Sequence, residues 1–151
     1  VLAEDGLLDK FIGDALMAEF GIPESRGDRE EALAAVRAAL AMQDSLSALN
    51  RRLTQEGRPP LSQGIGLHFG EVIAGNLGSQ DRLEFTVIGA TVNVASRLEG
   101  LTRRFSDHPI LISGELRDLL GDAIDAVDLG AQMVKGWPDP VQVFGLTELR
   151  A

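Results

Sequence analysis

The segment Lys10-Phe11-Ile12-Gly13-Asp14 places an ammonium group and a carboxylate on either side of two apolar residues and a glycine. Apolar runs at Leu7 to Ile12 and Ala15 to Phe20 flank Gly13-Asp14, and a glycine leading a two-residue connection is a hairpin signature. Asp14 is therefore expected at a hairpin tip, where a carboxylate on a stiff ribbon suits a hard cation such as Mg²⁺. Lys10 lies on the strand leading to it. Taken alone, these five residues fit a plain Gly-Asp turn with a solvated lysine better than a site. A second group runs from Thr86 through Gly89 and Asn93 to Arg97 and Glu99. If a helix begins near Thr91, Asn93 and Arg97 stand at i and i+4 and project from one face, where together they could grip one polar ligand. Val94, Ala95 and Leu98 then supply the buried side. This group, too, fits a blander account: an asparagine near a helix start and a surface arginine paired with glutamate.

Positioning these residues takes a mixture of strands and helices. Past the Gly21 to Gly27 break, Asp28 with Glu31 resembles a capping box. Leu33, Val36, Leu40, Leu46, Leu49 and Leu53 then recur at near-helical spacing, which predicts a long amphipathic helix ending before Gly57-Arg58-Pro59-Pro60. Ser62 to Asn76 alternates around Gly70-Glu71 and is expected to form another hairpin. Leu83 to Ile88 reads as a strand, Thr91 to Leu101 as a helix, Ile110 to Ser113 as a strand and Glu115 to Leu120 as a short helix. Val127 to Val134 and Val141 to Leu146 read as strands joined through Lys135-Gly136-Trp137-Pro138. Strands and helices in this mixture, with several hairpins, predict an α+β sandwich: a mostly antiparallel sheet covered by helices.

Bulk properties narrow the classes. A chain of 151 residues is the length of one domain and buries a real core, so residues 1–151 are expected to form a single unit. With 44% hydrophobic and 25% charged residues it is too apolar to be disordered. A net charge of −9 with only 14 Lys and Arg argues against nucleic-acid binding, while leaving room for a small polyanion held by local donors and metal. There is no cysteine, hence no disulfide framework and no thiolate metal site. The longest apolar stretch, Ala32 to Met42, is interrupted by Arg37 and too short to span a bilayer. A cytoplasmic setting fits. The chain opens on Val1 and enters a strand-like run almost at once, which reads as an upstream segment having been cut away.

Weak separately, the motifs are specific together. Lys-x-x-Gly-Asp at residues 10–14, Gly-Ile-Gly-Leu-His-Phe-Gly-Glu-Val at 64–72 and Thr-Val-Ile-Gly-x-x-Val-Asn-x-Ala-x-Arg-Leu at 86–98 resemble class III adenylate and guanylate cyclases in order and spacing. The resemblance runs from about Gly6 to Leu146. It implies a ferredoxin-like sandwich that forms a head-to-tail homodimer with ATP bound between the chains, and two Mg²⁺ or Mn²⁺ ions per complete site. By position it gives Asp14 the role of one of two metal-binding aspartates, makes Lys10 and Thr86 the pair facing the purine, Asn93 the ribose-orienting asparagine and Arg97 the phosphate-binding arginine. Lys135 matches a turn lysine that approaches the β- and γ-phosphates in many relatives, although a solvated turn lysine accounts for it as well. The implied reaction is in-line attack of the ribose 3′-oxygen on the α-phosphate with pyrophosphate leaving, assisted by two metal ions. Arg97, a planar fork that stays charged, suits the charge that builds on the α-phosphoryl oxygens.

Donors and acceptors argue the purine. Adenine presents an acceptor at N1 and a donor at N6, whereas guanine presents a donor at N1 and an acceptor at O6. Lys10 can only donate and the Thr86 hydroxyl can accept, so the pair suits adenine. A carboxylate at position 10 would be expected of a guanine reader. Threonine where most relatives carry aspartate resembles the bicarbonate-responsive subgroup, so bicarbonate activation is an expectation resting on one residue. His68 is expected to be a strand residue without a catalytic role, and Trp137 and Phe105 to serve packing or a dimer contact.

The chain departs from the family pattern at its start. The first metal aspartate of the family lies upstream, in a Phe-x-Asp-Ile-x-Gly-Phe-like motif with no counterpart here, and Asp5 and Asp9 lack that context. With half of the metal clamp and a strand missing, the 151-residue chain alone is expected to be nearly inactive and to expose a sheet edge. The parent protein is expected to carry regulatory domains. Three other readings compete: a degenerate cyclase-like regulatory or dimerisation domain, a guanylate cyclase, and a generic α+β interaction domain. The last does not explain the joint spacing. The Gly-Gly-Asp/Glu-Glu-Phe signature of enzymes that join two GTP molecules is absent, as is a Walker-type loop.

Overall fold

The computed structural model describes residues 1–79, 82–135 and 137–150, with the main chain alone at 82 and 83. Its elements are β1 (Leu7–Ile12), β2 (Ala15–Glu19), α1 (Asp28–Gln55), β3 (Ile65–Leu67), β4 (Ile73–Ser79), β5 (Arg82–Ile88), α2 (Ala90–Leu101), β6 (Ile110–Ser113), α3 (Gly114–Leu120), β7 (Ile124–Gln132) and β8 (Val141–Leu149). The expected α+β architecture is present, as one four-stranded sheet of order β3-β6-β8-β7 and two separate two-stranded ribbons, β1-β2 and β4-β5. Among the described residues the β3-β6 pair is parallel and the other ladders are antiparallel.

The four-stranded sheet is covered on both faces, and β6 shows why. All four of its residues are buried. Ile110 and Ile112 face Ala32, Val36 and Ala39 of α1 and Leu116 and Leu120 of α3. Leu111, between them, faces Val94, Leu98 and Leu101 of α2 together with Val141 and Val143. Alternation along a strand sends neighbouring side chains to opposite faces, so a continuous apolar run is what a strand between two helical layers requires. Burying each such side chain is worth about 1.5–3 kcal/mol. Phe105 and Trp137 pack against the α2 side, which assigns them to the core margin.

Two local expectations are corrected. Residues 62–76 do not form a hairpin: β3 pairs in parallel with β6, and β4 pairs with β5. The partner of β3 is thus far along the chain, and β3 also lies close under α2: at Gly66 any Cβ would run into the Ala95 carbonyl oxygen and the Glu99 main-chain nitrogen. The glycine serves the approach of strand to helix rather than a turn. The start of α1 is not an Asp28 capping box either. Gly27 stands at the cap without a side-chain bond, and Asp28 is already helical. Glu31 instead accepts from the Arg26 main-chain N–H and from its guanidinium, each at 2.9 Å, and that pairing holds the Glu31 carboxyl down to about 2. The tail strands form β7 and β8, with Gly136 of their connection lying outside the described residues. Among the described residues no helix is long and apolar enough to cross a membrane.

Candidate active site

The β1-β2 hairpin places its residues as the Gly13-Asp14 spacing predicts. Gly13 has φ +65° and Asp14 does not share it, the pattern of a two-residue turn with glycine first. Asp14 is exposed at the tip. Four residues back, the ribbon is irregular. Leu8 pairs with Ala18 and Lys10 with Met17, so Asp9 is the extra residue of a bulge. On a regular strand Asp9 and Lys10 would face opposite ways; a bulge re-aims side chains.

Both reach one hydroxyl. Lys10 Nζ donates to Thr86 Oγ1 at 2.6 Å, and Thr86 Oγ1 donates to Asp9 Oδ2 at 3.0 Å. Lys10 also lies 3.6 Å from Asp9 Oδ1, with the Asp9 side chain 3% exposed and that of Lys10 40% exposed. Thr86 is buried on β5, so the contact ties the two ribbons together. Beneath it sits Glu19, whose two carboxyl oxygens are buried without a donor among the described residues. Burial first, and then the adjacent Asp9 carboxylate, push the Glu19 carboxyl up to about 7. Two charged carboxylates side by side repel, and a proton taken up by Glu19 relieves both that repulsion and the cost of burial.

The second group stands on α2. Gly89, at φ +144°, caps the helix, and Val94 and Leu98 are buried while Asn93 and Arg97 are exposed on the other side. Arg97 has no ion-pair partner among the described residues; the neighbouring Glu99 pairs with Arg103 at 3.6 Å. Arg97, Arg103 and Lys135 line one shallow, open hollow with Met133 and Val134. Of the residues singled out from sequence, Lys10 and Thr86 are thus joined directly, and Arg97 and Lys135 share a surface. Asp14 and Asn93 make no hydrogen bond or ion pair with either set among the described residues. Asp9 and Glu19 were not foreseen. The polar interruptions they make in otherwise apolar strands were the only signal.

His68 lies just past β3, half-buried, with Nδ1 2.8 Å from Ser113 Oγ. Burial lowers its pKa, and a neutral ring bonded to a buried serine is a structural link. Asp5 pairs with Arg26 at 3.0 Å, away from the hairpin tip.

Class III cyclases generally use divalent metal ions. Asp14 offers a suitable hard oxygen, yet among the described residues no group of three His, Cys, Asp or Glu side chains converges on a metal position. The described residues therefore supply Asp14 as one hard-oxygen ligand of such a site rather than a complete set.

This architecture, a helix-covered sheet with two ribbons and a cationic helix face, is that of the nucleotide cyclases. The family model described as adenylate and guanylate cyclase catalytic domain matches residues 9–148, and the chain belongs to that family. Adenylate cyclase 1 of Rhizobium meliloti is 33% identical over 144 residues, 95% of this chain and 21% of that protein. An adenylate cyclase of Anabaena cylindrica is 41% identical over 118 residues, 76% of this chain and 22% of that protein. Among solved structures, the adenylyl cyclase CyaB from P. aeruginosa superposes with a TM-score of 0.87 at 35% identity, covering 99% of this chain and 75% of that one. The guanylyl cyclase Cya2 follows at 0.83 and 33%, covering 99% and 73%. The chain thus spans about a fifth of the length of these curated relatives.

Proposed function

We propose that the chain, residues 1–151, is the greater part of one catalytic domain of an adenylate cyclase that converts ATP to 3′,5′-cyclic AMP and pyrophosphate. The single observation that carries the choice of adenine is the Lys10–Thr86 pair: a donor at 2.6 Å from a hydroxyl that keeps one lone pair free. Lys10 would donate to adenine N1 and Thr86 would accept from the N6 amino group. Guanine presents the reverse at both positions.

Asn93 would orient the ribose, and Arg97, without an ion-pair partner among the described residues, would take the charge growing on the α-phosphoryl oxygens. Lys135 across the hollow suits the β- and γ-phosphates. Asp14 would contribute one ligand to Mg²⁺ or Mn²⁺, whose chemistry is to activate the 3′-oxygen and neutralise the leaving pyrophosphate. Lys10-Thr86 and Arg97-Lys135 are separate surfaces, which fits a homodimer whose site is shared between two chains. Regulatory domains in the parent protein and a cytoplasmic setting belong to the same reading, as does bicarbonate activation, tested by the rate at fixed pH with and without bicarbonate.

The deciding assay takes the protein that carries this domain and measures product from ATP and from GTP under Mg²⁺ or Mn²⁺, beside Asp14→Ala and Arg97→Ala. Cyclic AMP from the parent and loss in both variants, with folding intact, is the expected result. A cyclic GTP preference would move the reading to guanylate cyclase. No product from either nucleotide would leave a regulatory dimerisation domain.

A further inference from the structure

Around Thr86 every hydrogen-bonding direction but one is accounted for. Its proton goes to Asp9 Oδ2 at 3.0 Å, and one lone pair takes Lys10 Nζ at 2.6 Å. A hydroxyl has one proton and two lone pairs, so what remains to face a ligand is a lone pair. Without Asp9 the hydroxyl would be free to rotate and donate. The Asp9 side chain is 3% exposed and sits at the bulge that lets two successive residues reach one oxygen. Glu19, buried nearby, makes no hydrogen bond to Thr86 among the described residues, so Asp9 is the acceptor of the Thr86 proton.

We propose that Asp9 is a positioning residue that holds the Thr86 hydroxyl as an acceptor and thereby sets the preference for adenine over guanine. The inference rests on the purine-facing role given above to Lys10 and Thr86. It adds to that reading the group that makes the threonine selective. A bare threonine accepts from an amino group or donates to a carbonyl with equal ease; a threonine whose proton is already committed rejects guanine O6, because two acceptors would meet.

The test uses the full protein and reads two ratios, ATP over GTP in kcat/KM and in affinity by competition against a fluorescent nucleotide. Asp9→Leu removes the acceptor at similar volume and is expected to lower both ratios about fivefold to tenfold, the effect of one misdirected hydrogen bond. Asp9→Asn keeps an amide oxygen for the Thr86 proton and is expected to restore most of the preference. In a Thr86→Val background, Asp9→Leu is expected to change neither ratio further. A purely structural role would lower activity with both nucleotides alike and leave the ratios where they were. That result overturns the proposal, as does an undiminished ratio in Thr86→Val, a variant on the opposite ribbon that reports whatever the Asp9 variants do to folding. Selective ATP binding that follows these variants, but with no cyclic product, supports the role of Asp9 and removes the cyclase reading. Cyclic AMP with an Asp9-independent ratio removes only the role of Asp9.

Discussion

The two halves of the candidate site are built in opposite ways. The corner proposed to face the base is half-buried and internally bonded: Asp9, Lys10 and Thr86 satisfy one another, with the buried Glu19 nearby. The hollow proposed to face the phosphates is open, and its cations Arg97 and Lys135 have no ion-pair partners among the described residues. Recognition of a base asks for few, fixed directions, which a prearranged network provides. Binding of a polyanion asks for free charge, which a salt bridge would consume. Selectivity and charge stabilisation are therefore separable here by mutation.

The largest expected effect tests the open half. Arg97→Ala should lower kcat about 10²- to 10³-fold, the cost of removing one donor aimed at developing charge, while the thermal midpoint stays nearly unchanged because the side chain is exposed. Steady-state kinetics beside a melting curve check both. The next residue reverses the pattern. Leu98 is fully buried among Leu101, Leu111 and Val143, so Leu98→Ala should cost about 2–5 kcal/mol of stability in denaturant titration.

Glu19 sharpens the contrast through pH. Its carboxyl is raised from 4.5 to about 7 in the fold, so its contribution to stability is fully present below the unfolded value and is lost as the pH rises through about 7. Glu19→Gln should consequently stabilise the protein at pH 8 by about 1–2 kcal/mol, less than the full linkage value because the residue is only half-buried, and should give no gain at pH 5. Melting curves at the two pH values decide it. The smallest effect is expected at Lys135, on an exposed turn. Lys135→Ala should raise KM for ATP a few-fold with kcat nearly unchanged, and more visibly at low salt.

What the sequence disclosed follows the range of each interaction. The Gly13-Asp14 turn, the period of α1, and the polar face of α2 with Asn93 and Arg97 are local patterns, and the structure repeats them to within a residue or two. The β3-β4 hairpin failed because the partner of β3 is β6, more than forty residues on, and no alternation within 62–76 encodes that pairing. Lys10 and Thr86 were legible through the family resemblance, and their contact across two ribbons confirms that they are neighbours. Asp9 and Glu19 were not legible. Regular alternation turns Asp9 away from Lys10, and only the bulge in the folded ribbon brings both to Thr86.

Gly66 sets how closely the helix that carries Arg97 sits on the sheet. At that point the backbone of β3 lies against the backbone of α2 and the Leu98 Cβ, and a side chain of any size at 66 would collide with them. A larger residue there would lift α2 from β3 and carry Arg97 with it, away from ribbons that are joined to each other through Thr86. One glycine on a strand thus governs the spacing between the cationic helix face and the Lys10–Thr86 corner.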